Sequence, residues 1–141
     1  MRGRRDVHDL AEIGDVDFLK IDAQGASFDV LAGAANTLRQ TAVVHAEVEF
    51  VSLYKGEKLF GDVDCQLRQH GFTFHRFGEV SGRSFRPLHP TNDVAGSMGQ
   101  VLWADVVYVK DFMELSRLPP AKLLALAAIL HEVYRSYDFC A

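Results

Sequence analysis

At 141 residues and 48% hydrophobic content, the chain has the length of one domain and enough apolar residues for a core. A net charge of −4 offers nucleic acid no attraction, and the basic residues Arg2, Arg4 and Arg5 read as a solvated start. Cys65 and Cys140 form neither a disulfide framework nor a metal motif; no signal peptide is visible and no apolar run reaches the roughly 20 residues that span a bilayer, so the chain reads as soluble and cytoplasmic.

Val16-Asp17-Phe18-Leu19-Lys20-Ile21-Asp22 is a short apolar run ending on a carboxylate, a candidate buried strand broken by Gln24-Gly25. Ser27 can then cap a helix on which Phe28, Leu31, Ala34, Ala35 and Leu38 recur at helical spacing. Thr41 to Phe50 is a second strand candidate that carries Glu47 and Glu49. A loop through Tyr54, Lys55 and Gly56 leads to a helix with Leu59, Phe60, Val63 and Leu67 on its apolar face, ended by Gly71. Phe72 to Phe77 alternates as a half-exposed strand does, and Gly78 to Gln100 has the composition of a long loop. Val101 to Val109 is the last strand candidate. Pro119 and Pro120 then open a helix through Leu123, Leu126, Ala127, Leu130 and Val133.

This order predicts an α/β fold: a parallel sheet with helices on its faces and an antiparallel strand pair near the end. It is an incomplete sheet by the standard of a doubly wound fold. We expect one unit over residues 1–141, with sheet and helices in 15–110 and a C-terminal helical segment in 111–141.

The candidate chemistry sits at strand ends. Asp22 closes the first strand beside a chain break, where ligands gather in open α/β sheets, although a turn aspartate reads the same way. Lys20 and Asp22 share a face, either around a site or as a surface ion pair. Glu47 and Glu49 also share a face, and repel unless a cation, a proton or a substrate group lies between them. Their alternation with Val48 and Phe50 equally suits a half-exposed strand. His45, Glu47, Glu49 and Asp22 could imitate a metal site, but no spacing is diagnostic and no metal is expected. His75, His89 and His131 have no partners in sequence and read as surface or packing residues.

Asp17-Phe18-Leu19-Lys20-Ile21-Asp22-Ala23-Gln24-Gly25-Ala26-Ser27, followed by Val30-Leu31-Ala32-Gly33-Ala34, resembles the hallmark of FkbM-family methyltransferases. The resemblance continues in Glu47-Val48-Glu49-Phe50, Leu53-Tyr54-Lys55-Gly56, Leu59-Phe60, His70-Gly71-Phe72 and the run from Trp103 to Val109. It implies a partial class I methyltransferase (Rossmann-like) sheet, of which this chain supplies the fourth to seventh strands, the seventh lying between the fifth and sixth. It implies S-adenosyl-L-methionine as cofactor. The family's glycine-rich loop after the first strand has no counterpart in this sequence, nor does the acidic residue after the second. Weak or absent cofactor binding by the isolated chain is therefore expected.

On this resemblance Asp22, Lys20 and Glu47 are the catalytic candidates, Asp22, Gln24 and Gly25 the cofactor-binding ones, and Glu49, Tyr54 and Lys55 the substrate-binding ones. Ser27 stands where the family usually has Glu. If that Glu contacts substrate or cofactor, the contact is lost here; if it only stabilises the start of the helix, which is the preferred reading, Ser is an adequate cap. The implied activity is O-methyl transfer to a small-molecule or glycan-like hydroxyl. The alternatives are a non-catalytic, self-associating module and, ranked last, a metal-dependent hydrolase. The expected partners are that substrate and a second copy, paired through an exposed edge strand or the C-terminal helix.

Overall fold

In a computed structural model, which describes residues 15–87 and 99–140, the apolar runs become strands and the helical-period segments pack on both sides of them. The elements are β1 (Phe18–Ile21), α1 (Ser27–Gly33), α2 (Ala35–Gln40), β2 (Val43–Glu49), α3 (Phe60–Gln69), β3 (Phe72–Gly82), β4 (Val101–Lys110) and α4 (Pro120–Glu132). The expectations for Arg2, Arg4, Arg5 and His89 lie outside the described residues.

The four strands form one sheet in the order β1-β2-β4-β3. β1 runs parallel to β2, with Phe18 opposite Val43 and Ile21 opposite Ala46, and β4 is antiparallel to both of its neighbours. The last strand in sequence thus lies between the second and the third. This mixed α/β sheet with flanking helices is compatible with a partial Rossmann-like methyltransferase fold.

β4 is central, and its run Val106–Val109 is buried on both faces, which is why it reads as continuous apolar sequence. On one face Val44, Ala46 and Val48 of β2 pack with Leu31, Leu38, Val63 and Leu67 from α1, α2 and α3. On the other, Val43, Val107 and Val109 meet Leu126 and Leu130 of α4. α4 begins with proline in its first turn, where the missing N–H costs nothing. It is apolar almost all round, and Leu124 is left 73% exposed.

Lys110 ties two helix ends to the sheet. Its Nζ donates to the Leu38 carbonyl at 2.9 Å and the His70 carbonyl at 3.1 Å, and lies 4.0 Å from the Phe72 ring centroid. Burial pulls its pKa down to about 8, so at neutral pH it remains the cation that these acceptors favour.

Three expectations are corrected here. Ser27 does not cap: Ala26 precedes the first turn of α1, and the buried Ser27 hydroxyl donates to the Glu47 carbonyl at 2.7 Å. The hydroxyl faces β2 and satisfies a strand-end carbonyl there, so its work is between elements. The helix expected from Ser27 to Leu38 breaks into two at Ala34. The loop expected from Gly78 begins later, because β3 keeps pairing with β4 as far as Gly82 through three register shifts. Such bulges accommodate small residues that a flat ladder would not favour. A further short stretch, Phe112–Arg117, forms 3₁₀ turns between β4 and α4.

Candidate functional site

The parallel strands β1 and β2 end side by side, and two adjoining hollows open there. One, about 320 Å³, is lined by Lys20, Asp22, Glu47, Glu79, Ser81, Trp103 and Asp105. The other, about 360 Å³, is lined by Gln24, Glu47, Glu49, Leu53, Tyr54, Arg83, Leu102 and Trp103. Glu47 and Trp103 belong to both. The arrangement follows from register: Glu47 stands opposite Asp105 and Glu49 opposite Trp103, so strand alternation brings all four to one face. A larger hollow of about 490 Å³ lies between β3, β4 and the C-terminal segment, lined mainly by apolar residues with His75 and Asp138. It is remote from the strand ends, and the carboxylates that could handle a proton or a cation are gathered elsewhere.

Of the residues singled out in the sequence, Lys20, Asp22 and Glu47 meet in the first hollow, and Gln24, Glu49 and Tyr54 join Glu47 in the second. Gly25 lies directly behind Tyr54 in a left-handed conformation, φ +85°. Lys55 is exposed and lines neither hollow; it sits on the turn that ends at Gly56, φ +77°. Neither Lys20 nor Asp22 takes part in an ion pair among the described residues. Asp105, Trp103, Glu79, Ser81 and Arg83 were not anticipated. The signal for the first two was available, since a carboxylate and a tryptophan alternate within an otherwise apolar strand.

The site is crowded with negative charge. Burial first, then the charges of Asp22 and Asp105, push the Glu47 carboxyl above its ordinary range. Glu49 is only 3% exposed and is raised as well, by burial and then by Glu57 and Glu47; a backbone N–H of Gly25 acts in the opposite sense. Glu57 Oε1 accepts from the backbone of Leu53 and Tyr54, whereas its buried Oε2 has no partner. The loop is thus pinned by one carboxylate oxygen and leaves the other uncompensated.

These raised values have a measurable consequence. A carboxyl whose folded pKa exceeds its unfolded one contributes stability that is complete below the ordinary carboxylate range and is lost as pH rises through the folded value. Ionising Glu49 therefore works against folding. We expect Glu49→Gln to be more stable than the parent at pH 7, by on the order of 1 kcal/mol, with the difference closing toward pH 4. Urea unfolding at both pH values checks this, and a variant less stable at pH 7 than the parent contradicts it.

The segment that builds these strand ends carries a family match. Residues 7–74 match the methyltransferase FkbM domain. The FkbM match takes in just under half of the chain and contains Lys20, Asp22, Gln24, Gly25, Glu47, Glu49, Tyr54 and Lys55. It stops before β4, so Trp103 and Asp105 are brought to the FkbM segment by the fold. No curated protein and no solved structure matches the chain. Among the described residues no three histidines, cysteines or carboxylates are placed to hold a metal ion, and no helix is long and apolar enough to cross a membrane.

Proposed function

We propose that this chain forms the acceptor side of a methyltransferase that uses S-adenosyl-L-methionine to methylate a hydroxyl of a small or glycan-like molecule. The observation that carries the reading is the meeting of Lys20, Asp22, Glu47 and Asp105 around one hollow at the ends of parallel strands. Such ends are where open α/β sheets hold their ligands. The acidic lining fits a positively charged methyl donor, with Asp22, Gln24 and the Gly25 backbone as its contacts. When bound, that donor supplies a methyl group activated on a sulfonium.

The chain's own residues would then do the rest. In-line transfer requires the acceptor oxygen to be held in position and relieved of its proton. Glu47, whose carboxyl is raised toward the working pH, takes that proton. Lys20 orients the acceptor oxygen from the same wall. Trp103 and Tyr54 give flat apolar surfaces against which a ring can lie, with Glu49 and Gln24 accepting its hydroxyl hydrogens. Two free cysteines suit a reducing compartment, and we place the protein in the cytoplasm.

Labelled methyl transfer by the full-length protein to a panel of hydroxyl, amine and carboxylate acceptors tests the reading, with Glu47→Gln alongside. Label on hydroxyl acceptors, lost in the variant, is expected; label confined to amines or carboxylates overturns it. The isolated chain should bind S-adenosylhomocysteine only weakly, with a dissociation constant above roughly 100 μM, because no glycine-rich turn lets the backbone approach the ligand closely. Calorimetric titration giving a low-micromolar constant would show that the strand-end residues suffice.

A second reading, self-association, is favoured by the outer edge of β1, which has no strand beside it among the described residues. An open edge templates pairing with another chain, and the exposed flank of α4 adds apolar surface. Sedimentation of the chain at several micromolar should show dimers or larger species. A single monodisperse monomer rules this out.

A further inference from the structure

His45 stands on β2 two residues before Glu47, and its ring connects the C-terminal segment to the first hollow. Nδ1 lies 2.8 Å from the Tyr134 hydroxyl, and Nε2 lies 3.2 Å from Asp105 Oδ2. The His45 side chain is 16% exposed, and Phe18 packs edge-on against both the imidazole and the phenol, at 6.5 and 6.4 Å between centroids. Burial, followed by the Asp105 charge, pushes the Tyr134 phenol up to about 12, so it stays protonated.

A protonated phenol can donate to Nδ1 or accept from it. Were it to accept from a neutral ring, Nε2 would be the unprotonated, electron-rich nitrogen and would lie 3.2 Å from the Asp105 carboxylate, an unfavourable proximity. Nε2 therefore carries the hydrogen, and in the neutral ring Tyr134 donates to Nδ1. The Nε2–Oδ2 contact has the distance of an ion pair without the alignment of a hydrogen bond, and Nε2 has no other partner. With a neutral ring the contact is one between the Asp105 carboxylate and the partly positive N–H edge of the imidazole, weaker than a hydrogen bond.

We infer that His45, anchored by Tyr134, is a positioning residue of the cleft, which keeps its Nε2–H edge beside Asp105 and steadies that side chain next to Glu47. The groups facing this pair come from several elements: Asp22 and Lys20 from β1 and its end, Glu79 from β3, and Arg76, which donates to the Tyr134 carbonyl at 3.3 Å. Asp105 sits directly across the strand pair from Glu47, and its charge is among the causes that raise the Glu47 carboxyl. The chain of contacts thus runs from a residue after α4 to the proton-accepting group. The inference rests on the acceptor-side reading only for what Glu47 acts on.

The test needs no turnover, so its failure is separate from failure of the methyltransferase reading. Nitrogen-15 spectra of the histidine rings, taken on the full chain at a pH where His45 is neutral, report its tautomer directly. We expect the Nε2–H form, with Nδ1 hydrogen-bonded, and in Tyr134→Phe a move of the Nδ1 resonance to that of a nitrogen without a donor. Carbon-13 titration of the Glu47 carboxyl should show its midpoint falling toward the ordinary carboxylate range in Asp105→Asn. An Nδ1–H ring in the parent protein overturns the inference even if neither variant folds. So does a Glu47 midpoint that Asp105→Asn leaves unchanged.

Discussion

Replacing Gly25 with alanine will destabilise the chain by roughly 2–4 kcal/mol and disorder the wall of the second hollow. Its backbone, φ +85°, is one that side chains with a Cβ rarely adopt, and the preceding Gln24 is also left-handed at φ 43°. A Cβ at position 25 would come within 2.6 Å of Tyr54 Cδ2 and 2.8 Å of Glu57 Oε2. The tyrosine ring is half exposed and could swing aside. Glu57 has no such freedom, because its other carboxylate oxygen holds the backbone of Leu53 and Tyr54. Relieving the clash therefore means releasing the loop that Glu57 pins. Gly33→Ala is the matched control: nothing lies within 4 Å of a Cβ there, and the residue is helical, so alanine should be neutral or slightly stabilising. Urea unfolding of both variants decides the matter. A Gly25→Ala midpoint indistinguishable from that of Gly33→Ala would mean that the turn relaxes at no cost.

In a form of the protein that turns over, Asp22→Asn will lower kcat by on the order of a hundredfold, whereas Glu49→Gln will leave it within about threefold. The two carboxylates differ in surroundings more than in chemistry. Asp22 is exposed at the end of β1 and enters no ion pair among the described residues, so its charge is free to meet a ligand. Glu49 is only 3% exposed and already takes a backbone N–H from Gly25. An amide can still accept that bond. A threefold change corresponds to about 0.7 kcal/mol of barrier, too little for a group that touches the reacting centre. Steady-state rates for the two variants measured side by side provide the check; Asp22→Asn falling within that limit removes Asp22 from the catalytic set.

How far the sequence foretold these sites can be traced through particular residues. β1, β2 and β4 were legible because their apolar runs are short and sharply bounded. The neighbours of each strand were not legible in the runs themselves, since periodicity states that a strand exists and says nothing of what lies beside it; the insertion of β4 next to β2 followed only from the resemblance. Alternation correctly placed His45, Glu47 and Glu49 on one face. It failed to foresee that Glu49 is buried, because burial depends on residues distant in sequence that alternation does not register. Ser27 was misjudged for a related reason. A serine before an apolar helical pattern looks like a cap, but the partner of its hydroxyl lies on another element. The end of β3 was hidden by its Gly and Ser content, which a bulged edge strand tolerates.

The position of β4 in the sheet has a consequence for how the protein is made. A chain emerging from the ribosome presents β1, β2 and β3 well before the strand that joins them. Until Val101–Lys110 has appeared, β2 pairs on one side only, and β3 has no sheet to join. Val43, Val44 and Ala46, fully enclosed in the finished molecule, then depend on chaperones or on transient helix cover. Closing the sheet means inserting one strand between two that are already waiting, a step governed by distant rather than neighbouring contacts and therefore slow. A nascent chain stalled just short of Val101 would carry the whole of the FkbM-matched segment, yet hold no completed sheet at all.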